Sequence, residues 1–236
     1  MLVSEIMLAQ TQVARVVGVW EPFMARFPSP QTMAAAPPGD VISAWGNLGY
    51  PRRARRLWDV AVVVSASGWP DDLAVLPGVG RYTADAVAAQ VDGVDVPAVE
   101  TNVRRVLERR TGRHLTPSEA VAAGRSAGAP LTGRDRLLAL MDVGAVLCRP
   151  RAPRCGECPL AVGCATAADP VLVEAGLGRP RQRQKRYEGS FRQRRGIVLA
   201  ALREGPQPVA GLDNDALKGL VADGLAMVHG PVAQLP

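Results

Sequence analysis

The chain has 236 residues, with 28 Lys and Arg against 22 Asp and Glu and a formal net charge of +6. Its 47% hydrophobic residues suffice for one large core or two small ones, while 4% aromatics argue against a single-strand binder built on stacking platforms. No apolar run approaches the ~18 residues of a membrane span; Met1-Leu2-Val3 runs into Glu5 without the succession of a secretory signal, so the cytoplasm is the expected compartment, and a sequence pI near 9.7 favours a polyanionic partner.

Leu2, Ile6, Leu8, Val13 and Val16 fall near one helical face. Pro28, Pro30 and Pro37-Pro38 punctuate the next short helices. Val41 to Trp45 leads into the turn Asn47-Leu48-Gly49-Tyr50-Pro51, and 52–67 reads as a basic helix with an apolar side of Leu57, Val60 and Val64. Leu76-Pro77-Gly78-Val79-Gly80 is a tight glycine hairpin, followed by helices over 81–90, 102–110 and 134–147. No alternating strand run occurs to this point, so the architecture is mostly α. Further on, 176–186 is polar and basic, a linker suited to an anionic surface. From Arg192 an apolar period returns through Ile197, Leu199, Leu202, Leu212, Leu217 and Leu220 to Met227-Val228, predicting a small winged-helix-like module.

The four cysteines, Cys148, Cys155, Cys158 and Cys164, are spaced C-x6-C-x2-C-x5-C with none elsewhere. A disulfide framework would spread its cysteines through a small secreted domain. This cluster reads as a metal site, and the spacing alone leaves structural zinc and a 4Fe–4S cluster open. In the hairpin, Gly78 and Gly80 let the chain turn sharply and bring backbone N–H groups to a phosphate, with the next helix adding its positive end.

Taken in order, several stretches resemble the helix-hairpin-helix base-excision DNA glycosylases, and among them the MutY-type adenine glycosylases. They are 4–13 (SEIMLAQTQV), 45–50 (WGNLGY), the hairpin with Tyr82, 102–107 (NVRRVL), 141–145 (MDVGA) and the cysteine loop. The resemblance implies a two-lobed helical fold. A barrel lobe would span 1–94 and an iron–sulfur lobe 95–167, with a basic linker at 168–190 and the C-terminal module at 191–236. It also implies a 4Fe–4S cluster on the four cysteines, and double-stranded DNA with a mispaired or damaged base as the partner of a monomer.

The resemblance assigns roles as well. Glu5 matches the acid that protonates a flipped adenine, a role that asks for a partly desolvated pocket. Glu100 stands where the family places an Asp facing the oxocarbenium-like sugar, by the two-carboxyl logic of glycoside cleavage. The longer arm displaces that carboxylate on a scale that can cost about 10²-fold. Read without the family, Glu100 is a helix-start carboxylate with Thr101 as the cap. Tyr82 replaces the Lys of a lyase, which implies a monofunctional enzyme that leaves an abasic site. Tyr82 and Asn102 would line the pocket, while Gln10, Thr11, Leu48 and Tyr50 would enter the duplex around the lesion pair. Leu48 and Tyr50 read equally well as core residues.

The departures from the pattern are Glu100, Ala9 in place of a second Gln, the short stretch before Glu5, and a C-terminal segment too short for a Nudix-like domain. They leave two other readings open, a thymine or uracil glycosylase acting opposite guanine and a DNA-binding paralogue with weak chemistry.

Overall fold

Two helices, not one, open the chain. In the computed structural model, which describes residues 1–178 and 186–236, α1 (Leu2–Leu8) ends before Gln10, whose φ of 58° no right-handed helix can accommodate. α2 (Val13–Arg26) then starts in a new direction. The single apolar face expected from the sequence is therefore broken. Leu2, Ile6 and Val16 are buried, but Leu8 and Val13 are 36% and 65% exposed.

By internal packing the chain forms two units, Leu2–Val79 with Gln184–Pro236, and Gly80–Arg183 with Met1. In the first, α3 (Pro30–Ala35) and α4 (Pro38–Ala44) each begin with a proline, where its fixed φ favours helix and its missing N–H costs nothing. α5 (Arg52–Ser67) turns Ala54, Leu57, Val60, Ala61 and Val64 inward against α3 and α4. Phe23 packs edge-on to Phe27 at 5.2 Å and to Trp45 at 6.2 Å, a geometry the ring quadrupoles favour. The Trp45 indole donates to the Gly49 carbonyl at 2.9 Å and closes the turn between α4 and α5.

The C-terminal module belongs to this same unit. α12 (Phe191–Glu204) buries Val198, Leu199 and Leu202, and α13 (Asn214–Ala222) buries Ala216, Leu217 and Leu220. β1 (Gln207–Pro208), β2 (Met227–His229) and β3 (Val232–Gln234) form an antiparallel sheet in the order β1-β3-β2. Two helices with a β2–β3 hairpin make the arrangement winged-helix-like.

The second unit holds α6 (Arg81–Val91), α7 (Thr101–Thr111), α8 (Pro117–Ser126) and α9 (Gly133–Asp142), then the short α10 (Ala165–Ala168) and α11 (Val171–Glu174). One core joins Val103, Val106 and Leu107 of α7 to Leu115, Ala120, Leu140 and Val143. A smaller one joins Ala86 and Ala89 of α6 to Ala98 and Leu137. The helix expected over 134–147 changes pitch at Val143–Leu147, a π-helical turn before Cys148. Residues 168–178, read from sequence as the start of the linker, carry α11 with buried Val173 and Leu177. The basic residues 179–185 lie outside the described residues. Among the described residues no helix is long and apolar enough to cross a membrane.

Two predictions follow from this packing. A Cβ at Gly144 would lie 2.8 Å from the Cβ of Asn102 and 2.9 Å from its carbonyl oxygen. Gly144→Ala is expected to lower stability by about 1–3 kcal/mol, the usual cost of overpacking, in denaturant titration. At the start of α8, Glu119 accepts from the backbone N–H and hydroxyl of Thr116 and pairs with Arg113. These bonds, the backbone N–H first, hold its carboxyl down at about 2, against an ordinary 4.5. A lowered carboxyl stabilises the fold above its unfolded value and loses that contribution as pH falls from about 4.5 towards 2. In thermal melts across that window, Glu119→Gln should flatten part of the acid decline.

Candidate active site

Two turns of the first unit are joined by their side chains. Gln10 and Tyr50 both adopt left-handed backbone conformations, with φ of 58° and 48°. The Tyr50 hydroxyl donates to Gln10 Oε1 at 2.7 Å. Arg53 lies over the Tyr50 ring, 4.3 Å from its centre, and donates to the Ala9 carbonyl, while Arg15 donates to the carbonyl of Asn47. Non-glycine residues in this region cost of order 1–3 kcal/mol each, and such strain gathers at ligand sites. Thr11 donates weakly to the Ala9 carbonyl at 3.5 Å. Leu48 is 3% exposed and belongs to the core, so of the residue pair left open by sequence, Tyr50 faces solvent and Leu48 does not. Glu5 lies on α1 at 9% exposure, one of few buried acids.

The glycine hairpin follows α5. Gly78 has φ +73°, a conformation that favours glycine, and a Cβ there would lie 2.3 Å from Cδ of Arg56 and push that side chain aside. Gly80 is the N-cap of α6, with open space around it. Tyr82, the second residue of that helix, packs against the Ala86–Leu137 cluster.

At the head of α7, Glu100 itself is the N-cap and Thr101 the first helical residue, which corrects the sequence reading of Thr101 as cap. Glu100 Oε1 accepts the Val103 N–H at 2.8 Å. Thr101 offers a shorter arm, but the carboxylate brings a full charge to the positive helix end. Asn102 Oδ1 accepts from Arg105 at 2.8 Å, and the same guanidinium donates to the carbonyls of Gly144 and Cys148, both at 2.6 Å. Arg105 is 3% exposed, and burial lowers its pKa from the ordinary arginine value, with the sulfur of Cys148 and the Glu100 carboxylate opposing the shift. The sequence reading gave Arg105 no role. Its signal is the i, i+3 spacing from Asn102, which sets both side chains on one helix face.

The cysteine loop hangs from α7 as well. Arg109, 1% exposed, donates to the carbonyls of Leu177, Arg149 and Pro150 and stands 3.5 Å from Cys148 Sγ. The Cys164 thiol points to the Arg109 carbonyl at 3.6 Å. All four cysteines are free and half-buried, and all line one concavity of about 310 Å³, partly open to solvent, with Leu147, Arg109 and Thr166. Burial pushes the Cys155 and Cys158 thiols up, and neighbouring sulfurs push the same way. Among the described residues no group of three or more His, Cys, Asp or Glu is gathered as a single-ion site. Four thiols around one hollow fit a cationic core that would remove their protons on binding.

Residues 3–124 match the HhH-GPD superfamily base excision DNA repair protein family. The chain is 40% identical over 258 aligned residues to an adenine DNA glycosylase of Mycobacterium tuberculosis (strain ATCC 25618 / H37Rv), covering 95% of this chain and 80% of that one. With the adenine DNA glycosylase of Homo sapiens it shares 37% identity over 171 residues, covering 67% of this chain and 31% of the human one. A thermostable thymine-DNA glycosylase superposes with a TM-score of 0.63 and 27% identity, over 71% of this chain and 82% of that one. Endonuclease III in a trapped covalent intermediate with DNA superposes at 0.64 with 24% identity, over 72% and 84%, a likeness of fold. The match through residue 124, joined to an identity that runs nearly the length of the chain, shows that this protein belongs to the HhH-GPD superfamily of base excision DNA repair proteins and, within it, to the adenine DNA glycosylase family.

Proposed function

We propose that this chain is a monofunctional DNA glycosylase that removes a flipped adenine mispaired with 8-oxoguanine or guanine and leaves an abasic site. One observation carries the reading: the 40% identity with an adenine DNA glycosylase extends over 95% of the chain, well past the superfamily region. The site residues divide the work by their surroundings. Glu5, enclosed on α1, is the acid that delivers a proton to the purine ring and turns a poor leaving group into a neutral base. Glu100, fixed as a helix cap and with Arg105 near, is the anion that faces the sugar cation. Tyr82 and Asn102 line the pocket. Tyr82 brings no amine, so water captures the sugar and no Schiff base forms.

Around that chemistry, Gln10, Thr11, Tyr50 and Leu48 meet the duplex beside the flipped nucleotide. The Gly78–Gly80 turn offers N–H groups to the backbone phosphates. Leu48 would have to leave its core position to act as a wedge, whereas Tyr50 is already exposed. Cys148, Cys155, Cys158 and Cys164 would hold a 4Fe–4S cluster. Such a cluster would cross-link the 148–164 loop that packs against α7. The protein works as a monomer on DNA in the cytoplasm, as a nucleoid-bound enzyme.

Single-turnover cleavage of A:8-oxoguanine, A:G, T:G and U:G duplexes tests the substrate. Adenine should leave from the first two. Release of thymine or uracil alone would favour the specificity of the thymine-DNA glycosylase that shares the fold. Glu5→Gln should reduce excision by ~10²–10⁴-fold, the worth of a general acid, while lesion-duplex binding stays within twofold or so. Glu100→Asp keeps a good N-cap and shortens the arm, and should raise adenine excision about tenfold by restoring the carboxylate's reach. Anaerobic purification should yield about four iron per chain; stoichiometric zinc in its place would overturn the cluster.

A further inference from the structure

The winged-helix module is fastened to α4, α5 and the turn between them, and all contacts but the first fall on one segment. The Gly39 N–H donates to the Pro236 carbonyl at 2.6 Å, and a Cβ at 39 would sit 2.5 Å from that oxygen. Just after α13, Asp223 accepts from Arg52 at 3.2 Å with one oxygen and from Arg195 with the other. The next carbonyl, Gly224, accepts from Arg55 at 3.1 Å, and a Cβ there would meet the same nitrogen at 2.9 Å. From α12, Arg203 reaches Asn47 Oδ1 at 3.4 Å, and its Nε is buried without a hydrogen-bond partner.

Arg52 and Arg55 are the first turn of α5, and Asn47 opens the turn before it. The module therefore holds the 47–55 segment at both ends, with the strained Tyr50 between. The hold is needed for two physical reasons. Arginines in the first turn face the positive end of the helix and are disfavoured there, so the Asp223 carboxylate offsets an inherent repulsion. A left-handed tyrosine persists only where its surroundings over-determine it, and the Gln10 hydrogen bond supplies one restraint from one side. The module is poorly suited to read DNA by itself. In a winged helix α13 would enter the groove, yet its exposed residues are Asn214, Asp215, Lys218, Val221 and Ala222, without net positive charge.

We propose that the C-terminal module is a positioning element for the 47–50 turn, with Arg203 and Asp223 as positioning residues that set how Tyr50 meets a lesion-bearing duplex. This rests on the glycosylase reading above. The test uses the full chain, a duplex with an uncleavable abasic analogue opposite 8-oxoguanine, and the same duplex undamaged. Arg203→Ala and Asp223→Asn should each weaken lesion-duplex binding about tenfold, or ~1.4 kcal/mol. Binding of undamaged duplex and the single-turnover rate at saturating enzyme should change by less than about twofold. Asn47→Ala should show the same loss, and the Arg203→Ala, Asn47→Ala double variant should lose no more than either alone, because both act through one contact. Arg203→Lys should recover part of the affinity.

If Arg203→Ala does not fold, Asn47→Ala and Arg203→Lys carry the same comparison. Undiminished lesion preference in the folded variants overturns the inference alone. So does an equal loss on both duplexes, which would mark the module as a general contact or a stabiliser. A wild-type chain without preference for the lesion duplex overturns the glycosylase reading and this inference with it.

Discussion

Two arginines inside the second unit govern how its functional parts are held. Arg105 and Arg109 lie one turn apart on α7, nearly without solvent, and a buried guanidinium demands a partner for every N–H it turns inward. Among the described residues neither pairs directly with a carboxylate. Their partners are carbonyls of the cysteine loop and its approach, the Asn102 amide, and Leu177 beyond α11. Charge-assisted bonds to carbonyls fix direction as well as distance. The loop that carries the cysteines and the helix that carries Glu100 and Asn102 are thus a single hydrogen-bonded piece. The rest of the unit follows, because Gly144 is small so that the π-helical turn can approach Asn102, and Glu100 caps the helix from which both arginines project.

Most of this arrangement is legible in the chain. The basic helix over 52–67 has the observed bounds because its apolar residues recur at helical spacing and Pro51 and Gly68 delimit it. The cysteine spacing announces a shared site, and all four residues line one hollow. What escapes sequence reading depends on long-range contact. Nothing local in Gln10 foretells a left-handed residue, which exists because Tyr50, forty positions on, receives its side chain. Leu48 looks the same as wedge or core until the burial around Trp45 is known. α8, by contrast, has a local signal: Thr116-Pro117-Ser118-Glu119 is a capping box, with both reciprocal bonds formed.

The carboxylates show where local and functional demands meet. Glu100 serves as a cap, a role any Asp, Asn or Ser fills, so its identity is not dictated by the helix. The longer side chain must curl back to reach the Val103 N–H, and that curl sets where the remaining oxygen lies. A single residue thereby ties the start of a helix to the position of a charge. Buried Glu5 sits on α1, whose short length leaves it dependent on packing against α2 and α5.

The order of the units along the chain bears on how the protein is made. The first unit is discontinuous, opened by the N-terminal helices and closed only by the last fifty or so residues, with the whole second unit intervening. During synthesis from the N-terminus, at about 5–20 residues per second, the second unit is complete while α4 and α5 still lack Pro236, Asp223 and Gly224. For several seconds on the ribosome Arg52 and Arg55 lack the Asp223 carboxylate and the Gly224 carbonyl, and Asn47 lacks Arg203. A chain interrupted late in translation would carry an intact cysteine site and hairpin helix beside an unfinished 47–50 turn.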